Sequence, residues 1–479
     1  MRNLLTTMLL MLSFLYTEAA RVNNIWADHG WVKVSENKRY LQHTDGTPYF
    51  YLADTGWLMP QRLNRDEVQY YLDALFDAGY TAVQVQVLPK VPTLNVYGQY
   101  SNNPTDPYDF SCFDKDSLHA MNYSYWDHME YIIDEARGRG IMVGMVCVWG
   151  SQVKGGAMNA EQAAKYGSFL VNRYKNYPNI MWIIGGDMKG YVKRDVWESL
   201  ATTIRRLDKK HLMTYHPFGR TSSAMWFNES PWLDLNMFQS GHRRYGQRKG
   251  DGDHTTIPED NEEDSWRYVE EALKLIPRKP ILDGEPSYER IPQGLHDTSQ
   301  PKWQPHDCRR YAWWSVLAGA CGHAYGNAAI MQFSGNGRGG AYGVDYPWHE
   351  ALKDHGFLQM RYVKELLYRL PYFERVPDQS VFVGKYGIRY ERPVASRGND
   401  YIVAYTYTAS PLTIDLSKIS GKRKKAWWYS PRSGNFTFIG EVDGNKKHTF
   451  TPKGPNNQWA NDWVLVIVDS EKNYLDGLE

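Results

Sequence analysis

Cysteine is scarce, with four residues in a chain of 479, too few for the disulfide framework that holds small exported domains together. Cys147 falls in an apolar run and is expected to be buried. Cys308 and Cys321 are expected on one helix, where their spacing corresponds to about 20 Å, beyond disulfide reach. A partner for Cys112 stays open. Excess charge is lacking too: 55 Lys and Arg against 54 Asp and Glu leave +1. A near-neutral chain has no general attraction for nucleic acid or anionic lipid, so neither is expected as a partner. Past the N-terminus no apolar run reaches the length of about 18 residues that a bilayer span needs, which excludes membrane insertion. Metal motifs are absent, with no His-x-His, no His-Glu-x-x-His and no His/Cys cluster of ligand spacing. No Gly-x-Ser-x-Gly elbow occurs either. No metal and no other cofactor is expected. Repeats and low-complexity tracts are missing, and nothing bears on oligomeric state.

What the chain does have begins with an export signal. Arg2, an apolar run over 4–16 and a small-residue exit at Ala19 or Ala20 read as a signal peptide over residues 1–20. A soluble protein, periplasmic or secreted, starting near Arg21 is expected; an uncleaved anchor would need about 20 apolar residues. Aromatic content is high, with 18 Trp, 35 Tyr and 16 Phe. Such rings fill cores and also suit the apolar faces of sugars.

Residues 39–52 predict a hairpin turning at Asp45-Gly46. Apolar runs at 49–53, 82–88, 141–149, 180–184, 212–215, 233–238, 280–282 and 322–325 are candidate strands. Helical stripes lie between them. Asn64 and Glu67 form a capping box ahead of Val68, Tyr71, Leu72, Leu75 and Phe76, with Gly79 at the stop. Met129, Ile132, Ile133 and Ala136 make a second stripe, Val196, Leu200, Ile204 and Leu207 a third, and Val269, Ala272, Leu273 and Ile276 a fourth. Eight strands, each followed by a helix, predict an α/β fold, a (β/α)8 TIM barrel over residues 21–375, with an open doubly wound sheet as the alternative. Residues 376–479 alternate in period two between turn residues and predict a small antiparallel β-sandwich.

Barrel enzymes place their chemistry where strands end. The polar residues there are Asp54 and Trp57 after the first strand, Gln86 on the second, Trp149 after the third, Asp187 after the fourth and His216 on the fifth. Gln239 and His242 follow the sixth, Asp283 and Glu285 end the seventh, and His323, Tyr325 and Asn327 end the eighth. Asp187 and Glu285 are the candidate catalytic pair, because glycoside hydrolysis needs one protonated acid for the leaving oxygen and one ionised carboxylate on the anomeric side. Asp54, Trp57, Gln86, Trp149, His216, Gln239, His242, His323, Tyr325 and Asn327 are candidate substrate contacts. Asp283, one layer deeper by strand parity, is expected in a structural ion pair. The Gly335–Gly340 match to G-x-G-x-x-G follows the last strand and opens no helix. It reads instead as a mobile loop over the mouth carrying Arg338. The Arg- and Gly-rich run 241–253 is either a solvated loop or a surface facing an acidic sugar.

Together, Tyr51-Leu-Ala-Asp54-Thr-Gly-Trp57, Gly-Gly-Asp187, Asp-Gly-Glu285-Pro and Trp428-Tyr-Ser-Pro-Arg-Ser-Gly434 resemble glycoside hydrolase family 140 over nearly the whole mature chain. The C-terminal part is similar to a domain labelled collagen-binding, although no residue here argues for collagen. The resemblance implies a retaining-clan barrel acting on pectin, an endo-acting apiosidase that cleaves at apiose in rhamnogalacturonan II side chains. It makes Asp187 the acid/base and Glu285 the nucleophile. The wider clan has Asn-Glu where this chain has Gly186-Asp187, one methylene shorter, which leaves retention against inversion open. Two other functions fit the residues: a family-5-like endoglycanase on glucan or mannan, and a carbohydrate-binding protein without catalysis.

Overall fold

In the computed structural model, residues 25–103, 105–106, 108, 123–247, 258–454 and 461–478 are described. The expected signal peptide and Cys112 lie outside them. An antiparallel sheet of β1 (Val32–Val34), β2 (Leu41–His43) and β3 (Pro48–Tyr49) comes first, and the expected hairpin supplies its last two strands.

The barrel follows. Its strands are β4 (Tyr51–Thr55), β5 (Ala82–Gln86), β6 (Met142–Val146), β7 (Ile180–Gly185), β8 (Met213–His216), β9 (Asn236–Phe238), β10 (Ile281–Asp283) and β11 (Gly322–Tyr325). They form one parallel sheet in the order β8-β7-β6-β5-β4-β11-β10-β9. Every residue of these strands is buried, as expected when side chains pack inward and against an outer ring of helices. The barrel is nearly closed. Between β8 and β9 the ladder is replaced by the loop after β8, whose Ser223 N donates to Met237 O at 2.8 Å while Gln239 N donates to Thr221 O at 3.1 Å.

The first helix begins at the expected cap, and two others begin at capping boxes of the same kind. Asn64 caps Arg65–Asp77 in a capping box with Glu67, Ser124 and Asp127 do the same for Tyr125–Gly138, and Asn159 and Gln162 for Ala160–Tyr174. Two expectations are corrected. The stripe ending at Ile276 stops as a helix at Ala272, and Ile276 is 80% exposed, because the following Pro277 disfavours helical backbone at the residue before it. Cys308 and Cys321 do not share a helix: Pro305–Leu317 ends before Gly319, at φ +117°, and Cys321 leads into β11. Cys147, Cys308 and Cys321 are free and buried.

The C-terminal domain contains β12 (Val376–Pro377), β13 (Val394–Arg397), β14 (Tyr401–Thr406), β15 (Leu412–Asp415), β16 (Arg423–Tyr429), β17 (Phe436–Asp443), β18 (Lys447–Phe450) and β19 (Trp463–Asp469). Six form an antiparallel sheet, β12-β13-β14-β19-β16-β17, and β15 pairs with β18. Period-two alternation divides the large sheet between two cores. Ile402, Ala404, Trp428, Leu465 and Ile467 pack with Ile414 and Leu416 inside the domain, whereas Val403, Tyr405, Trp427, Val464 and Val466 belong to the barrel's own core. The Tyr405 ring stacks on Trp313 of helix Pro305–Leu317 at 5.9 Å and 12°. Beside it Arg309 grips Asp462 through two bonds of 2.9 and 2.7 Å, and Arg432 reaches the same carboxylate at 3.0 Å. Asp462→Ala strands the buried Arg309 guanidinium, and a loss of about 3–5 kcal/mol is expected in urea unfolding; a loss under about 1 kcal/mol would show that this pair does not hold the domain.

Candidate active site

The turn after β7 has three successive residues at positive φ: Gly185 at +84°, Gly186 at +132° and Asp187 at +51°. A Cβ on Gly185 would lie 2.6 Å from His216 O, and one on Gly186 2.9 Å from the Trp149 ring. Glycine is therefore required at both positions, while Asp is among the few side chains that accept left-handed backbone. The turn brings the Asp187 carboxylate into the barrel mouth. There its Oδ1 accepts from Gly219 N at 3.3 Å and Gln239 Nε2 at 3.2 Å.

Glu285 arrives from β10 through Gly284. Its backbone carbonyl accepts from Ser240 N at 3.1 Å and Gly241 N at 3.2 Å, which ties the ends of β9 and β10 together. Its carboxylate lies between two imidazoles, His216 Nε2 3.2 Å from Oε2 and His242 Nε2 3.2 Å from Oε1. Asp187 N donates to His216 Nδ1 at 3.2 Å. An accepting Nδ1 leaves the His216 proton on Nε2, facing Glu285. One fully buried ring thus touches both acids.

These contacts separate the two carboxyls electrostatically. Burial pushes the Glu285 carboxyl up, but the hydrogen bonds that His216 and His242 offer it outweigh burial and hold the group at about 2. Burial, and then the negative charge of Glu285, push Asp187 up to about 6. Near pH 6 one carboxyl is ionised while the other is half protonated. An acid and a nucleophile or base are available side by side.

The pair lies in a cavity of about 890 Å³ walled by Trp57, Trp149, Phe218 and Tyr288. Trp57 meets the edge of His216 at 5.3 Å and 88°, and its Nε1 donates to Tyr288 Oη at 3.1 Å. Gln86, Gln239 and His242 also face the cavity, and Arg243, His296 and Gln300 line its polar side. Among the described residues no group of three or more His, Cys, Asp or Glu could hold a metal ion. Nor is any of their helices long and apolar enough to cross a membrane.

A family model for the apiosidase-like catalytic domain matches residues 35–374, and a model for a collagen-binding-type domain matches residues 376–468. The chain belongs to the apiosidase-like family. It is similar to a solved structure described as a glycoside hydrolase, at 53% identity and a TM-score of 0.91, over 95% of this chain and 100% of the other. A glycoside hydrolase family 5 protein from Bacteroides vulgatus is also 53% identical with a TM-score of 0.91, over 95% of this chain and 97% of that one. No curated protein matches. This apiosidase-like protein is a glycoside hydrolase, and its substrate is a carbohydrate.

Several side chains expected at the mouth of the apiosidase-like barrel are elsewhere. Asp54 is fully buried, accepts from Tyr71 Oη at 2.7 Å and is pushed by burial to about 7. His323 meets Ser315 Oγ at 3.2 Å and is lowered by burial to about 3. Tyr325 donates to Glu289 at 2.5 Å, and Asn327 Nδ2 donates to Asp354 at 2.9 Å. Tyr71 and Ser315 belong to outer helices, so Asp54 and His323 point away from the barrel axis, and Tyr325 and Asn327 continue the β11 parity. His216 is placed beneath the acids rather than against the cavity. Among the described residues no cation pairs with Asp283: it accepts from the Ser240 hydroxyl, and burial raises it well above the carboxylate range. Arg338 does not line the cavity, although Gln332 and Tyr342 on either side of its loop do: it bonds both Glu67 oxygens at 2.8 Å, and Arg62 holds the same loop through Gly339 O at 2.9 Å. Of the run 241–253, residues beyond 247 lie outside the described part.

Phe218 and Tyr288 are not among the residues expected from the sequence. Both stand just past a strand end, three residues or fewer from His216 or Glu285, and that proximity was the available signal. Gly186→Ala should cost about 1–3 kcal/mol in urea unfolding. Gly46→Ala, where a Cβ meets nothing within 4 Å, should cost less. Equal losses would remove the steric argument for the turn.

Proposed function

We propose that this glycoside hydrolase is an exported, endo-acting apiosidase, periplasmic or secreted, that cleaves at apiose in the side chains of rhamnogalacturonan II by a retaining mechanism. The observation that carries the division of labour is the pair of acids on one imidazole, with Asp187 raised to about 6 and Glu285 held at about 2. Family membership supports the choice of apiose. Trp57 and Trp149 offer apolar ring faces to the sugar, and Gln86 and Gln239 offer hydrogen bonds to its hydroxyls. The protonated Asp187 gives its proton to the leaving glycosidic oxygen as a Glu285 oxygen bonds to the anomeric carbon and the old C–O bond breaks. Asp187, now ionised, takes a proton from water. That water's oxygen then displaces Glu285 from the anomeric carbon and restores both groups.

The family 5 relative at 53% identity supports a second reading, an endoglycanase on glucan or mannan with the same two acids. Product release from rhamnogalacturonan II, glucan and mannan separates the two. Asp187→Ala should lower kcat by about 10²–10⁴-fold, and Glu285→Ala should abolish turnover with folding intact. Cleavage confined to glucan or mannan would favour the endoglycanase, and turnover at the wild-type rate in either variant would overturn the assigned pair. Turnover also needs Glu285 ionised and Asp187 protonated. kcat/KM is therefore expected to fall on the acid side as pH approaches about 2 and on the alkaline side as it passes about 6. An alkaline limb unchanged in Asp187→Asn would show that another group is the acid.

A further inference from the structure

Glu262 is fully buried where the barrel, the loop that follows β9 and the C-terminal domain meet. Its Oε1 accepts from the backbone N of Tyr245 at 2.9 Å and from Tyr390 Oη at 2.5 Å, while Arg310 pairs with its Oε2. Tyr245 is three residues past His242, one of the two imidazoles on Glu285. Tyr390 belongs to the C-terminal domain. The two tyrosines also meet directly, edge to face at 5.0 Å and 80°, and the Arg389 guanidinium lies 5.3 Å from the Tyr245 ring centre. Behind them Arg310 lies 4.7 Å from the rings of both Tyr390 and Tyr407, so two C-terminal residues enclose the cation that pairs with Glu262.

The neighbouring contacts fasten the same loop. Asn261 Nδ2 donates to Arg244 O and Gln247 O, each at 2.8 Å, and Gly294 N donates to His242 O at 2.7 Å. Without Tyr390, the Tyr245 end of the loop would lose its aromatic cover and Glu262 one of its donors. Glu262, Asn261 and Arg310 belong to the barrel, and among the described residues this junction joins the C-terminal domain to the His242 loop.

We propose that the C-terminal domain is a working part of the catalytic site, and that Tyr390 is the positioning residue by which it holds the His242 loop against Glu285. The proposal rests on the reading of Glu285 as the nucleophile. It accounts for a β domain that shares the barrel's core, and it requires no ligand for that domain. Its distinctive consequence is electrostatic: a loosened His242 no longer stabilises ionised Glu285, so the Glu285 carboxyl rises toward its ordinary range and the acid limb of kcat/KM moves to higher pH.

The test uses the full-length protein, with rhamnogalacturonan II as substrate. Tyr390→Phe removes the hydroxyl alone, Tyr390→Ala removes the ring as well, and Ile439→Ser, at an exposed position of β17, is the control. Melting temperature, the pH profile of kcat/KM and the ring 15N shifts of His242, assigned by their loss in His242→Gln, are measured for each. Tyr390→Ala is expected to lose about tenfold or more in kcat/KM, with an acid limb at higher pH and displaced His242 shifts. Tyr390→Phe should show the same changes in smaller measure, and Ile439→Ser none. If activity falls while the acid limb and the His242 shifts stay at their wild-type values, Tyr390 is merely structural and the proposal fails. A wild type that cleaves no glycan would sink the proposed function instead, and the His242 shifts would still decide whether Tyr390 positions the loop.

Discussion

His216 is the constraint on which the site depends. Its Nδ1 accepts the backbone N–H of Asp187 and its Nε2 faces Glu285, so a ring with no exposure sets the geometry of both acids. The turn at Gly185-Gly186 closes around that ring: the His216 carbonyl bars a side chain at the first glycine and the Trp149 indole bars one at the second. Nearby aromatics then serve two ends at once. Trp57 packs against the His216 edge and also presents a wall to the cavity.

This wiring has a thermodynamic side. Glu285, depressed to about 2, contributes stability above the ordinary carboxylate pKa of the unfolded chain and loses it as pH falls toward 2. Asp187 runs the other way. Raised to about 6, it favours the fold at low pH, and that contribution disappears as pH rises through 6. The site thus stores one unfavourable ionisation beside one favourable one, a common cost of keeping acid and base chemistry available together.

Much of this was legible from residue order. The capping box at Asn64 marks a helix start because its hydrogen bonds close within four residues. Asp187 and Glu285 stand out because acids at strand ends share a barrel mouth whatever the details of packing. Trp57, Gln86, Trp149, Gln239 and His242 also face the cavity. Reading failed where the direction of a side chain mattered. Asp54, His323, Tyr325 and Asn327 end strands as well, but they face outer helices or the segments beyond them, and a short strand does not announce which of its two faces is inward.

The sequence by itself determined the order of strands and helices, the two-domain division of pattern and the acids at the mouth, because periodicity, capping and turn chemistry act over a few residues. Only the tertiary structure decided which residues share a site. The imidazole joining Asp187 to Glu285, the buried Asp283 held by Ser240, the Arg338–Glu67 anchor and the Tyr390–Glu262–Tyr245 junction all join segments far apart in the chain. Their pKa values and hydrogen bonds come from burial and proximity, which exist only once the barrel closes and the C-terminal sheet packs against it.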